Sequence, residues 1–177
     1  MKCIVIAAGY ATRLGELTRN FPKPLLKIGE KSILDRMLDD IDTIPDIDET
    51  IIVTNHRFAP IFRQWAEDRV RPVTVIDDGT ETNETRLGAV CDLLLAIQDV
   101  DDDLLVVAAD NLLFFSFQEF VDFAREKQTS CIMCHEQPSI EKLQRTGVIV
   151  VDENMRVLNM EEKPQVPKSH WAVPPFY

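Results

Sequence analysis

Apolar runs and helical periodicities alternate along this chain. Residues 2–8 form a nearly unbroken apolar run, which predicts a buried first strand running into a turn at Gly9. From Ser32 to about Ile41, the side chains of Ile33, Leu34, Met37, Leu38 and Ile41 share one helical face, and Ser32 with Asp35 makes an N-terminal cap pattern. Residues 49–54 (E-T-I-I-V-T) predict a second strand. Residues 57–69 predict a helix with Phe58, Ile61, Phe62 and Trp65 at helical spacing, an aromatic stripe that belongs in a core. Residues 72–76 predict a third strand, and Asp77-Asp78-Gly79 a turn. Residues 85–97 predict a helix with Leu87, Val90, Leu94 and Ile97 as its spine and Gly88 inside its first turns. A fourth strand is expected at 103–108. A Ser116/Glu119 capping box opens a helix to about Lys127, and a fifth strand is expected at 129–134. Two short runs, 147–151 and 156–161, flank Asp152-Glu153-Asn154 and predict a β-hairpin.

Strand–helix alternation of this kind predicts an α/β fold: a Rossmann-like, mostly parallel sheet with helices on both faces, plus the hairpin near the C-terminus. A chain of 177 residues suits a single domain spanning 1–177. Such sheets bind ligands at the carboxyl ends of their strands, where the strand order switches. The Gly9 loop and the end of the fourth strand both fall there. The G-x-G-x-x-G pattern of dinucleotide dehydrogenases is absent, so that reading lacks its main support.

Charge narrows the partners. The formal net charge is −11, which disfavours general binding to nucleic acid or to an anionic membrane. No apolar stretch approaches the ~20 residues of a membrane span, and no leader-like run opens the chain, so a cytoplasmic protein is expected. Cys131 and Cys134 form a C-x-x-C, but no second pair accompanies it. In the expected strand, residues three apart point to opposite faces, so packing is preferred to metal or redox chemistry.

Three segments carry candidate chemistry. The first is 7–26, A-A-G-Y-A-T-R-L-G-E-L-T-R-N-F-P-K-P-L-L. A strand-end loop with a glycine, a nearby Arg13 and a more distant Lys23 suits a polyphosphate: glycine permits close backbone approach, and the cations neutralise charge. Taken singly, Gly9 is an ordinary turn residue, and Arg13 and Lys23 are surface charges. The second is Asp110 in A-A-D-N, at the end of a buried strand, where a carboxylate can hold Mg²⁺ together with phosphate oxygens; alternatively it caps the following turn. The third is Glu161-Glu162-Lys163-Pro164, which reads either as a phosphate holder at an abrupt turn or as a charged edge strand. A further segment, 78–92, places Thr82, Asn83 and Thr85 ahead of a helix containing Gly88, a poor helix residue that close approach of a base or ribose would explain.

Taken together, these motifs resemble the sugar-1-phosphate nucleotidyltransferase (nucleotide-sugar pyrophosphorylase) family, which opens with a strand, a G-x-G-T-R-L-like loop and a downstream P-K-P-L-L. The resemblance implies nucleotide contacts at Ala8, Gly9, Thr12 and Gly88. Arg13 would steady the leaving β- and γ-phosphates, Lys23 would meet the α-phosphate, and Asp110 would bind Mg²⁺. Lys163 would hold a sugar-1-phosphate and Glu162 a sugar hydroxyl. The implied partners are a nucleoside triphosphate and a sugar-1-phosphate. The nucleophile is already an anion, so no general base is required; the catalyst must align two anions and neutralise developing charge. The chain departs from the pattern at Ala11 and Ala109, where glycine is commoner, and at Cys91, where a small residue is usual. It is also shorter than family members, whose later part adds a second metal-binding Asp. A C-terminally truncated domain is therefore expected, with exposed apolar surface that would favour homo-oligomers. Another phosphorylated acceptor such as phosphocholine, or a non-catalytic nucleotide-binding module, are the alternatives.

Overall fold

The computed structural model describes residues 1–174, which form two compact units, Met1–Lys127 and the part from Gln128 onward. In the first unit, β1 (Lys2–Ile6) is followed by two 3₁₀ stretches, Thr12–Thr18 and Lys23–Leu25, and a small ribbon of β2 (Lys27–Ile28) and β3 (Lys31–Ser32). Then come α1 (Ile33–Ile41), β4 (Glu49–Thr54), α2 (Ala59–Ala66), β5 (Val73–Asp77), α3 (Ala89–Ala96), β6 (Leu104–Ala108) and α4 (Phe117–Lys127).

Four parallel strands form one sheet in the order β5-β4-β1-β6. Right-handed crossovers along β1, β4 and β5 put α1 and α2 on one face. The return to β6 puts α3 on the other, where it packs on β4 and β1. Period-2 alternation serves both faces. Ile4, Ile51 and Val53 meet Ala96 of α3, while Cys3, Val5, Ile52, Leu105 and Val107 are buried on the opposite side. The strand order switches between β1 and β6, and their carboxyl ends part there. The Rossmann-like parallel sheet with helices on both faces is thus present.

Local chemistry fixes α1 as the sequence predicts. Ser32 Oγ accepts from Asp35 N–H at 3.0 Å, and the Asp35 carboxylate accepts from Ser32 N–H at 3.1 Å. Arg71 closes the other end, donating to the carbonyls of Ile41, Asp42, Ile44 and Ile47. A cation there also complements the helix dipole.

Two expectations are corrected. The predicted 85–97 helix begins only at Ala89, because Gly88 is its N-cap at φ 89 rather than a residue of its first turns. Its predicted spine is not the buried face: Leu87, Val90 and Leu94 are exposed, whereas Asp92 and Ala96 are buried. Residues 93–97 are apolar all round, so periodicity leaves the helix phase open and packing on the sheet decides it. Second, 129–134 forms no strand. The chain turns at Gln128 (φ 51) and pairs only from His135. Cys131 and Cys134 are half-buried, and the face-alternation argument does not apply to them. Among the described residues, no group of three metal-ligating side chains occurs.

The second unit holds β7 (His135–Glu136), α5 (Ile140–Leu143), β8 (Gly147–Val151), β9 (Val157–Glu162) and β10 (Trp171–Val173). They form an antiparallel sheet in the order β7-β10-β8-β9, and Leu143, Val148 and Ala172 make its core. The predicted hairpin is β8–β9, its turn held by Asp152 Oδ1, which accepts from the N–H groups of Asn154 and Arg156. Residues 173–177 (V-P-P-F-Y) resemble the start of a further strand in longer family members, and three of them, 175–177, lie outside the described residues. No described helix is long and apolar enough to cross a membrane.

Candidate active site

Where β1 and β6 part, a cleft of about 760 Å³ opens. It is lined by the 7–12 loop, Lys23, Asp110 and the start of α3. Each wall is positioned by backbone and side-chain bonds around the strand ends. Ala7 N–H donates to Val53 O at 2.8 Å, and Ala109 N–H donates to Ile6 O at 3.1 Å. Thr54 Oγ1 donates to Ala7 O at 3.4 Å, and Asn55 Nδ2 donates to Ala8 O at 3.0 Å. Asn55 is fully buried, and its own Oδ1 accepts from Phe58 N–H at the start of α2.

Beyond Gly9 the backbone turns sharply. Ala11 takes φ 47, ψ 38, a left-handed conformation that glycine adopts more cheaply. This is the position where the family pattern has glycine. Thr18 Oγ1 donates to Ala11 O at 2.9 Å and holds the loop closed. Gly15 sits at φ 55, ψ −125 and breaks the 3₁₀ stretch in two. Only glycine visits that region without strain, and no atom lies within 4 Å of where its Cβ would be. Gly15→Ala is therefore expected to destabilise the protein by about 2 kcal/mol through the backbone alone. Urea unfolding checks this; a loss below about 0.5 kcal/mol would mean the loop relaxes at little cost.

Lys23 opens the second 3₁₀ turn between Pro22 and Pro24, which fixes its backbone, while Pro24 and Leu25 are buried beneath it. Its Nζ lies 3.0 Å from Asp110 Oδ2 and 3.4 Å from Asp110 O. Two residues 87 positions apart thus meet at one end of the cleft. Asn111 Nδ2 donates to the other carboxylate oxygen of Asp110 at 3.1 Å. Ala8, Gly9, Thr12 and Gly88 all line the same cleft. Arg13 lies in the first 3₁₀ stretch, and its side chain is outside the described residues.

Glu162 and Lys163 belong to the second unit. Lys163 has φ 49 directly before Pro164, so the abrupt turn is left-handed rather than extended. Its N–H donates to Thr146 O at 3.0 Å, and its Nζ pairs with Glu162 Oε1 at 2.6 Å. Both side chains are exposed.

Four cleft or support residues escape the sequence reading: Asn55, Tyr10, Arg86 and Asp92. Asn55 had a signal, because a polar residue directly after I-I-V-T mirrors Asp110 after V-V-A-A. Tyr10, Arg86 and Asp92 line the cleft. Arg86 donates to Asn83 Oδ1 at 3.3 Å. Asp92 is 3% exposed, and its carboxyl is pushed up to about 6, first by burial and then by the charge of Asp78.

The chain matches the profile of the Nucleotidyl transferase family over residues 2–177. It belongs to that family. Among curated relatives, the chain is 25% identical to the UTP–glucose-1-phosphate uridylyltransferase AglF of Haloferax volcanii, over all of the chain and 71% of that protein. It is 28% identical to the glucose-1-phosphate adenylyltransferase of Geobacillus stearothermophilus, over 97% of the chain and 48% of that protein. It thus spans about half the length of several relatives. In fold, it is similar to a UDP-glucose pyrophosphorylase solved with UDP-glucose, with a TM-score of 0.82 at 18% identity, covering 99% of the chain and 74% of that structure.

Proposed function

We propose that this nucleotidyl transferase moves a nucleoside monophosphate from a nucleoside triphosphate to a sugar-1-phosphate and releases pyrophosphate. The observation that carries this reading is the meeting of Lys23 and Asp110 at the switch-point cleft, beside a glycine-bearing loop. A cation and a carboxylate at one end of a cleft are the groups needed to gather phosphates and a metal. The relatives' names support the same substrate class.

The donor set at Asp110 fits Mg²⁺: one partly exposed carboxylate, supplying hard oxygen, with room for phosphate oxygens and water. When bound, the metal would neutralise phosphate charge and help bring the two anions together. The chain's own residues do the rest. Lys23 swings from Asp110 to the α-phosphate, where charge builds as the new bond forms. The backbone from Ala8 to Thr12 wraps the phosphates, and Arg13 steadies the leaving pyrophosphate. Gly88, with no Cβ, lets the base or ribose approach the start of α3. No general base is required, since the attacking phosphate oxygen is already ionised. Lys163, presented on a left-handed turn, would hold the sugar phosphate, and Glu162 a hydroxyl.

Pyrophosphate release with Mg²⁺, across the common triphosphates and a panel of sugar-1-phosphates, tests the reading. Release that requires one sugar phosphate supports it. Release driven only by phosphocholine would replace the acceptor, and triphosphate binding without turnover would mean a binding module. Lys163→Ala is expected to raise the KM for the sugar phosphate about tenfold while leaving triphosphate affinity within twofold. An unchanged KM would remove Lys163 from the acceptor site.

A further inference from the structure

The start of α3 forms a notch in the cleft wall. Gly88 caps the helix, and no atom lies within 4 Å of where its Cβ would be. Asp92 stands one turn further on. Its N–H donates to Gly88 O at 3.0 Å, so the two residues share one side of the helix. Helical side chains lean toward the N-terminus, which carries the Asp92 carboxyl back toward the bare backbone of Gly88. Both residues line the cleft.

Other polar groups around the cleft find partners inside the protein. Thr80 is 6% exposed. Its hydroxyl and its N–H both donate to Asp78 Oδ1 at 2.7 Å. A hydroxyl has one proton, so at the 3.2 Å contact between Tyr10 and Thr80 the donor is the Tyr10 O–H. Tyr10, Thr80 and Asp78 thus form a hydrogen-bonded chain beside the loop that carries Gly9. Arg86, on the α3 side, is engaged with Asn83 Oδ1. Asp92 differs. Among the described residues, three buried side-chain atoms lack a hydrogen bond: Thr50 Oγ1, Asp78 Oδ2 and Asp92 Oδ1. Of these three residues only Asp92 lines the cleft, and it is 3% exposed. A buried carboxyl without a partner is costly, and a bound group that donates to it removes that cost.

The chemistry of the wall narrows that group. A carboxylate accepts from N–H or O–H and repels phosphate. The phosphate end of the cleft lies elsewhere. Lys23 meets Asp110 just past β6, whereas α3 packs on β1 and β4, and the sheet order is β5-β4-β1-β6. Phosphates gathered at Lys23 leave the nucleoside on the α3 side, where its donors are base N–H and ribose O–H groups.

We propose that Asp92 is a specificity residue that recognises the nucleoside, accepting a hydrogen bond from one of these donors in the notch that Gly88 leaves open. The same carboxyl sets the polarity of binding, because it turns phosphate away from the α3 end. This inference rests on the nucleotide-binding reading of the cleft. It supplies what that reading lacks, a side chain that separates a nucleoside triphosphate from a bare polyphosphate.

Calorimetry in chelator tests it with two probes, tripolyphosphate and the tightest-binding of the common ribonucleoside triphosphates. At pH 8 the Asp92 carboxyl, pushed up to about 6, is ionised. Asp92→Ala should bind the nucleoside triphosphate about tenfold more weakly than wild type, and tripolyphosphate equally well within about twofold, or more tightly. Asp92→Asn keeps the shape and an uncharged acceptor, so its loss should be about threefold. It carries the test should the alanine variant not fold. The dideoxy counterpart, which lacks both ribose hydroxyls, identifies the donor. If ribose donates, wild type already loses the factor on this ligand and Asp92→Ala adds nothing. If the base donates, wild type binds both sugars alike and the variant loses the factor on both. Nucleoside triphosphate affinity in Asp92→Ala within about twofold of wild type would overturn the proposal. So would equal losses on the two probes, which mean a damaged cleft. Wild type that binds tripolyphosphate as tightly as every nucleoside triphosphate overturns the proposal and leaves the phosphate site standing. Wild type that binds neither probe overturns the nucleotide-binding reading itself, and this assignment with it.

Discussion

Asp110→Asn is expected to lower Mg²⁺-dependent pyrophosphate release by about three orders of magnitude while leaving the protein folded. The two effects separate because of where the residue sits. Asp110 ends β6 at the cleft, and its side chain is 55% exposed. Its bond to Lys23 is therefore a solvent-screened pair, worth less than about 1 kcal/mol to the fold. Asn keeps the shape and the contact to Asn111, so thermal unfolding should shift by no more than a degree or two. What Asn cannot do is present a charged oxygen pair to a divalent cation. A second consequence follows from the 3.0 Å contact between Lys23 and Asp110. In the free protein that carboxylate competes with any phosphate for the lysine. Removing the charge should leave metal-free triphosphate binding unchanged or up to threefold tighter, even as turnover disappears. Calorimetry in chelator beside a pyrophosphate assay in Mg²⁺ reads both. Turnover within threefold of wild type would remove Asp110 from the metal site. Equal losses in both assays would mean the substitution damages the cleft itself.

How much of this was legible in the sequence depends on the scale of the physics involved. The first strand, α1 and the hairpin follow from local signals. An apolar run of strand length, the Ser32/Asp35 capping box and a polar turn between two short runs each carry their own cause. The cleft was legible because its corners sit at strand ends, and a parallel sheet has only one place where the order switches. The phase of α3 was not legible: residues 93–97 are apolar on every side, and Gly88 at φ 89 makes the helix start later than the apolar periodicity implies. The strand expected at 129–134 failed for a non-local reason. Strand propensity needs a ladder partner, and the first one this segment meets is β10, from His135 onward. Tyr10, Thr80 and Asp78 were invisible as a group, since Tyr10 lies 70 positions before Thr80 and only packing brings them together. Asn55 lay between these cases: its position after β4 repeats that of Asp110 after β6, and the parallel sheet makes the two positions equivalent.

Asn55 carries the second large expectation. Asn55→Asp should cost about 3 kcal/mol of stability at pH 8, lower the melting temperature by close to 10 °C, and recover much of this as pH falls. The wild-type amide donates to Ala8 O at 3.0 Å inside a fully buried site. In the variant a carboxylate oxygen faces that carbonyl oxygen instead. The donor is gone, two acceptors repel, and a charge is buried with no cation bonded to residue 55 among the described residues. Its remaining partner, Phe58 N–H, also bonds the backbone carbonyl of residue 55, so the change falls mainly on Ala8. Burial raises the pKa of such a carboxyl, so the acid form returns within an accessible pH range and can donate to Ala8 O again. Stability of the variant is therefore present below its folded-state pKa only, and is lost as pH rises through it. Asn55→Ala separates the contributions: it leaves Ala8 O unsatisfied without adding charge, so it should cost about 2 kcal/mol and show no added pH dependence. Ala8 is also the residue from which the cleft loop departs. If that loop wraps phosphates, metal-free triphosphate affinity in Asn55→Asp should follow the same pH curve as the melting temperature. A variant that loses stability with pH but binds triphosphate equally at every pH would show that Asn55 supports the sheet and not the loop.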